Sequence, residues 1–196
     1  MKTLIQFLLA LIILCSTSSI FSQDEPLKKD LKPALIIIDV QNAYMQYMSQ
    51  EDQKTALDYM NWAIWLFRKY DLPIIRVYHT DDQSGPFPGS HEFEFVDTLQ
   101  ILESDPQIIK KYPSAFTKTD FDKLLKENDI NTLFICGLSS VGCALATYFD
   151  CYAHEYKAFL IKDALLCHNA EYTNSIEIIF NAIDFQNLMF MVELAE

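Results

Sequence analysis

The chain has 196 residues, of which 51% are hydrophobic and 21% charged, so it can bury the core of one ordinary globular domain. Its formal net charge of −12 at pH 7 argues against binding to nucleic acid or to an anionic membrane, because both need clustered Lys and Arg. We therefore look for a single active site, although the charge says little about its substrate.

The N-terminal segment has the layout of a secretory signal peptide. An early lysine precedes an apolar run from Phe7 to Leu14, and small polar residues follow. The run is shorter than the ~20 residues that a membrane-spanning helix needs, so we expect no stable membrane anchor. The sequence predicts a cleaved signal peptide at 1–22, a linker at 23–32, one domain at 33–196, and a secreted or periplasmic location.

Buried strands and helices alternate along the predicted domain. The run ALIIID is continuously apolar, which is typical of a central parallel strand. A helical pattern from about Glu51 to Tyr70 ends at Leu72-Pro73, before the strand PIIRVYH. The later segments continue the alternation: QIIKK, TKTDFDKLLKEN, TLFICG, SVGCALATYFDCYAHEY, KAFLIKD and a final helix through NSIEIIFNAI. This order predicts a single α/β doubly wound, Rossmann-like domain with a roughly six-stranded parallel sheet and helices on both faces.

Cys143 is the first candidate for chemistry. The strand TLFICG leads through LSSVGC into a helix, which places Cys143 near a helix N-terminus at the carboxyl edge of the sheet. Unpaired N–H groups and the helix dipole lower a cysteine pKa from ~8.5 toward roughly 3.5–7.5 in such settings. We therefore expect a reactive thiolate with oxyanion donors beside it. The alternative is a small buried hydrophobic residue, the commoner role of a free cysteine.

Two charged residues are expected at the same edge of the sheet. Asp39 ends the strand ALIIID, where a buried carboxylate would need a partner, although it could also cap a loop. Lys110 and Lys111 close the strand QIIKK, and either could place an ammonium group beside Asp39 and Cys143. An ordinary solvated lysine is the alternative for both.

Three segments, DVQNAY, KKYPSAF and GLSSVGC, resemble the signatures of isochorismatase-like cysteine hydrolases. In that family the segments read Asp-x-Gln-x-x-Phe, Lys-x-x-x-Ser-Ala-Phe and Gly-x-x-Thr-x-x-Cys. Their order and spacing agree with this chain over residues 33 to 193. The resemblance implies that Asp39, Lys110 and Cys143 are the catalytic residues, with Lys111 as the second choice for the lysine.

The resemblance also implies how a substrate would be held. A cis peptide between Leu138 and Ser139 would place the N–H groups of Ser139 and Cys143 as an oxyanion hole. Two positions depart mildly from the family pattern, since Tyr44 replaces a phenylalanine and Ser140 a threonine. Candidate substrate-binding residues come from the first segment, from the long loop between Thr80 and Pro106, and from the second segment: Gln41, Tyr44, Phe87, Glu92 and Phe116. The aromatic members could equally pack a lid.

The implied reaction is hydrolysis of a carboxamide, carbamoyl or imide C–N bond through a thioester, without a cofactor. Family members that cleave a vinyl ether lack the cysteine, so Cys143 favours amide chemistry. Relatives often form homo-oligomers, which the sequence neither requires nor excludes.

A nicotinamidase-type, metal-assisted amidase is an alternative. Those relatives carry an Asp-x-His motif after the second strand, whereas this chain has the order His79, Thr80, Asp81. With His91 on the same loop a three-ligand site is conceivable, but the tight spacing of a metal motif is missing, so we expect no metal.

A non-catalytic secreted binding or redox protein is the second alternative. Such a protein could pair Cys143 with Cys136 or Cys151, although neither spacing matches the redox motif Cys-x-x-Cys. Core packing is the ordinary role for Cys136 and Cys151, and Cys167 is less certain because it follows a strand end.

Overall fold

The computed structural model describes residues 31–195. The predicted signal peptide, residues 1–22, lies outside the described residues, as does the predicted linker up to residue 30. Within the described part, no helix is long and apolar enough to cross a membrane.

A parallel sheet forms the centre of the described domain. Its strands are β1 (Pro33–Ile38), β2 (Ile74–His79), β3 (Gln107–Lys110), β4 (Thr132–Leu138) and β5 (Lys157–Leu166). The strand order is β3-β2-β1-β4-β5, so the winding direction reverses between β1 and β4. Every residue of β1 is buried, which explains its continuous apolar run. Ligands of doubly wound sheets bind at such a reversal, outside the carboxyl ends of the strands.

The helices of the described chain are α1 (Asn42–Met45), α2 (Gln50–Lys69), α3 (Phe121–Glu127), α4 (Cys143–Ala153), α5 (Ala170–Ile179) and α6 (Phe185–Glu193). The core has two layers, one on each face of the sheet. Leu35 and Ile37 of β1 pack in the layer under α2 and α6. Ala34, Ile36 and Ile38 point the other way, toward α3 and α4. The predicted doubly wound α/β fold with helices on both faces is confirmed.

The sheet has five strands in the described chain rather than the roughly six predicted. The place of a sixth strand, beside β5, holds only Ile183, which forms a single parallel bridge with Ile161. Its N–H donates to the Leu160 carbonyl, and its own carbonyl accepts from Lys162 N. Pairing ends there because α6 begins at Phe185, so no extended segment is left.

Helix α2 begins sharply after the short helix α1. The Ser49 side chain accepts a hydrogen bond from Asp52 N, which satisfies one of the free N–H groups of the first turn. Acidic residues in the first turn and basic residues in the last complement the helix dipole. Ala56, Met60 and Ala63 recur at helical spacing on its buried side. The helix predicted from about Glu51 to Tyr70 thus extends from Gln50 to Lys69.

Candidate active site

Asp39 and Lys110 form a buried ion pair at the carboxyl edge of the sheet. Asp39 follows β1, Lys110 ends β3, and β2 lies between them. Lys110 Nζ lies 2.8 Å from Asp39 Oδ2, and the two side chains are 0% and 4% exposed. Burial raises the pKa of Asp39, and the Lys110 ammonium acts against that rise. Asp39 Oδ1 is buried and has no hydrogen-bond partner among the described residues, so this oxygen can accept a proton.

Gly137 brings the ends of β1 and β4 into direct contact. Its φ is +108°, and a Cβ atom there would lie 2.2 Å from the Ile38 carbonyl oxygen. Only glycine combines this φ with so close an approach. The strand ends that carry Asp39 and Ser139 therefore meet, and the peptide between Leu138 and Ser139 is cis, as the resemblance implies.

Cys143 is the first residue of α4 and is half-buried. Burial, followed by the negative charge of Asp39, raises the pKa of Cys143 to about 11, while Lys110 acts in the opposite direction. The sequence prediction of a lowered cysteine pKa is wrong for this thiol. Burial and the facing carboxylate of Asp39 outweigh the Lys110 ammonium. The thiol is therefore protonated near neutral pH and needs a base before it can react.

The turn before α4 differs from residue to residue in how its backbone N–H groups are used. The N–H groups of Ser140, Gly142 and Ala144 donate to protein carbonyls, namely Leu166 O for the first and Ser139 O for the other two. In the described chain, the N–H groups of Ser139 and Cys143 make no such bond. Both residues line the same cavity, where an anionic oxygen could accept from them.

A cavity of about 510 Å³ opens above the ion pair. Its lining combines residues at the ends of β1, β2, β4 and β5 with aromatic and apolar side chains from the segment after β1: Asp39, Tyr44, Tyr47, Met48, His79, Leu138, Ser139, Cys143 and His168. Asp39, Ser139 and Cys143 are thus brought together, with Lys110 buried beneath them. Sequence reasoning missed the lining roles of Tyr47, Met48, Leu138 and His168. His168 follows β5, so the rule that strand ends supply site residues could have found it.

The predicted substrate-binding residues lie in different places. Tyr44 lines the main cavity. Phe87 and Glu92 instead line an adjoining cavity of about 680 Å³, which shares Tyr44, Tyr47 and His79 with the first. These three shared side chains form the boundary between the two cavities.

Gln41 and Phe116 are not brought to the main cavity. Gln41 is fully buried, and its Nε2 donates to the carbonyls of His79 and Phe93 at 3.0 and 2.8 Å. Phe116 stacks on His154 with ring centroids 4.4 Å apart and packs edge-on against Phe121. Gln41 therefore fixes the end of β2, and Phe116 belongs to the core beside α3.

The residues considered for a metal site are not gathered. Asp81 Oδ1 accepts hydrogen bonds from Gln83 N, Ser84 N and Ser84 Oγ within its own loop. Between residues 31 and 195, no three His, Cys, Asp or Glu side chains are grouped so that they could hold a metal ion.

The cysteines considered for a redox function are free thiols in the described chain: Cys136, Cys143, Cys151 and Cys167. Cys136 and Cys151 are fully buried in the core. Burial raises the pKa of both thiols, that of Cys151 to about 12. Among these buried and half-buried thiols, Cys143 alone lines the main cavity.

Comparison with known proteins agrees with the fold. The model of the isochorismatase domain matches residues 33–189. The chain belongs to the isochorismatase family. The isochorismatase family protein YddQ of Bacillus subtilis is 29% identical over 136 residues, which cover 67% of this chain and 76% of YddQ.

Two further comparisons extend this assignment. Ureidoacrylate amidohydrolase RutB of Azorhizobium caulinodans is 29% identical over 90 residues, 46% of this chain and 40% of RutB. The crystal structure of an isochorismatase-like hydrolase from Alkaliphilus metalliredigens matches with a TM-score of 0.72 at 20% identity, covering 81% of this chain and 97% of that one. This isochorismatase family protein is a hydrolase, and its relatives include amidohydrolases.

Proposed function

We propose that this protein hydrolyses the C–N bond of a small carboxamide, carbamoyl or imide compound through a thioester on Cys143. One observation carries the proposal: the buried Asp39–Lys110 pair and the Cys143 thiol meet at one cavity. The amidohydrolase name of the relative RutB supports C–N chemistry over ether cleavage.

Asp39 acts as the base that ionises Cys143. The thiol is protonated at neutral pH because its pKa is raised to about 11, so the proton must leave during the attack. Asp39 can accept this proton. One of its carboxylate oxygens is held by Lys110, and the other has no hydrogen-bond partner in the described chain. Lys110 then faces both the carboxyl group and the new thiolate, and its charge stabilises the thiolate.

The thiolate attacks the carbonyl carbon and forms a C–S bond. The negative charge that develops on the carbonyl oxygen accepts hydrogen bonds from Ser139 N–H and Cys143 N–H, which have no carbonyl partner of their own in the described chain. As the tetrahedral intermediate collapses, the C–N bond breaks and Asp39 returns its proton to the leaving nitrogen. The acyl group remains on Cys143 as a thioester.

A water molecule completes the reaction. Asp39, ionised again, takes a proton from that water, and the hydroxide attacks the thioester carbonyl. The C–S bond breaks, the thiol regains the proton, and the carboxylic or carbamic acid leaves. Each turnover consumes one water and releases one acid together with an amine or ammonia, or with an amide when the substrate is an imide.

Ammonia release from a panel of small amides, ureides and nicotinamide tests the proposal. Lys110→Met should lower kcat/KM at least about 100-fold, the range seen when one charge-stabilising group is lost. Lys111→Met is the matched control, because Lys111 is the next residue but has a side chain 53% exposed and pairs with Asp82 at the surface. It should stay within about twofold of the wild type. No release from any substrate, or equal losses in the two variants, would contradict the proposal.

We also propose that the mature protein is exported, on the strength of the signal-peptide layout of its first residues. N-terminal sequencing of protein from the producing cell's envelope or medium should begin at Gln23. Recovery of the chain only inside the cell with Met1 retained would contradict export.

A further inference from the structure

We propose that His79 is a positioning residue that holds Lys110 through Nδ1 and presents its Nε2–H to an acceptor atom of the substrate. This inference rests on the proposed function and narrows the substrate class. It requires an amide, ureide or imide that carries a second hydrogen-bond acceptor, apart from the scissile carbonyl.

His79 is held rigidly at the sheet edge. It is the last residue of β2 and pairs in register with Lys110 of β3. The Gln41 side chain fixes both of its backbone groups: Oε1 accepts from His79 N at 2.8 Å, and Nε2 donates to His79 O at 3.0 Å. The side chain of His79 therefore has a defined direction, toward the ammonium group beside it.

The neighbours of Lys110 decide which nitrogen of His79 carries a proton. An ammonium group has three donors and no acceptor. The Lys110 ammonium faces Asp39 Oδ2 at 2.8 Å, His79 Nδ1 at 3.5 Å and the Cys143 thiol. The contact to Nδ1 is long for a hydrogen bond, so the positive charge of Lys110 determines the position of the His79 proton more than hydrogen-bond strength does. A proton on Nδ1 would point at the ammonium protons, whereas a lone pair there attracts them.

A neutral ring agrees with this geometry. Burial, followed by the charge of Lys110, lowers the pKa of His79, and the carboxylates of Asp39 and Asp81 act against this effect. A histidine with a pKa below its ordinary value is neutral at pH 7 and carries one ring proton. With Nδ1 facing Lys110, that proton is on Nε2.

The second nitrogen lies where a substrate would pass. His79 lines both cavities and, with Tyr44 and Tyr47, forms the boundary between them. None of the hydrogen bonds within the described chain uses His79 Nε2. A donor in such a half-buried position is satisfied when a ligand supplies an acceptor. A substrate that reaches from Cys143 toward the adjoining cavity meets Nε2–H with a part of the molecule that lies beyond the scissile carbonyl.

The ¹⁵N chemical shifts of the His79 ring in the wild-type protein test the tautomer without any substitution. At pH 7 we expect the neutral form with the proton on Nε2. A proton on Nδ1, or a doubly protonated ring, would overturn the proposal.

Two variants separate the roles of the two nitrogens. His79→Asn keeps an acceptor near the Nδ1 position but loses the distal donor, so it should lower kcat/KM roughly tenfold through KM. His79→Gln keeps a donor near the Nε2 position but loses the acceptor for Lys110, so it should lower kcat/KM roughly tenfold through kcat. The same split between kcat and KM in both variants would overturn the proposal, because a merely structural role predicts it.

The rate at which iodoacetamide alkylates Cys143 tests the positioning of Lys110 by His79 without any substrate. Lys110 lowers the pKa of Cys143, so a loosened Lys110 in His79→Gln should slow alkylation at pH 8 more than His79→Asn does. Equal rates in the two variants would overturn the positioning role. If the wild type hydrolyses nothing in the panel, the proposed function fails by itself, and the ring shifts and alkylation rates still decide how His79 acts on Lys110.

Discussion

Lys110 Nζ donates to Asp39 Oδ2 over 2.8 Å, in a place where neither side chain is more than 4% exposed. Breaking a buried pair from one side costs about 3–5 kcal/mol, because a charge is left without compensation. Lys110→Met and Asp39→Asn should each lower the free energy of unfolding by about that amount. Their combination should cost clearly less than the sum, since no charge then remains. Urea unfolding at pH 7 measures all three, and additive losses would contradict the coupling.

Substitution of Asp39 should make the Cys143 thiol more reactive toward alkylation, although it abolishes hydrolysis. The Asp39 charge raises the pKa of the thiol, so Asp39→Asn should lower that pKa and leave more thiolate at pH 8. We expect iodoacetamide to alkylate Cys143 roughly tenfold faster in the variant, the effect of about one pKa unit, although hydrolysis is lost. Peptide mass spectrometry measures the rate, with the fully buried Cys136 and Cys151 as internal controls. Slower alkylation of the variant would show that the carboxylate assists the thiol even in the absence of substrate.

The carboxyl group of Glu177 in α5 should make the free energy of unfolding depend on pH. Burial raises its pKa from 4.5 to about 7, although its Oε1 accepts from Asp163 N at 2.8 Å. The folded protein therefore keeps a proton that the unfolded chain releases between pH 4.5 and 7, and stability falls as pH rises through that window. Glu177→Gln keeps the acceptor without the titration. It should be more stable than the wild type at pH 8 by about 1 kcal/mol and equally stable at pH 4. Thermal unfolding of both proteins at pH 4 and pH 8 measures this difference in stability. The same difference at both pH values would contradict a raised pKa for Glu177.

Two glycines with positive φ form a matched test of the contact between β1 and β4. Gly89→Ala meets no atom within 4 Å, so it costs only backbone strain of roughly 1 kcal/mol. Gly137→Ala adds a clash with the Ile38 carbonyl and should cost at least about 3 kcal/mol. Denaturant unfolding measures the loss of unfolding free energy in each variant. Similar losses would mean that the strand ends can separate without penalty.

Much of the fold could be predicted from the sequence because it depends on local patterns. The buried run of β1 and the turn before α4 are each encoded within a few residues, and Asp39 and Cys143 were placed at the right edge. That residues 31–195 form five strands rather than six depends on the short connection around Ile183, which composition does not reveal.

The rest of the site depends on distances between chain segments that only the fold decides. Lys110 rather than Lys111 turns inward because alternate residues of β3 face opposite sides. The contact of His79 with Lys110 follows from the register of β2 and β3, and Gln41 is used to hold that strand end. The raised pKa of Cys143 comes first from burial and then from the charge of Asp39, and the sequence of its own helix shows neither.

The most direct measurement is mass spectrometry of the acid-quenched enzyme during turnover of an amide found in the substrate panel. We predict a mass increase equal to the acyl group on the peptide that contains Cys143, and no such adduct and no turnover in Cys143→Ala. Continued release of ammonia by Cys143→Ala, or an acyl group on another residue, would contradict catalysis by this thiol.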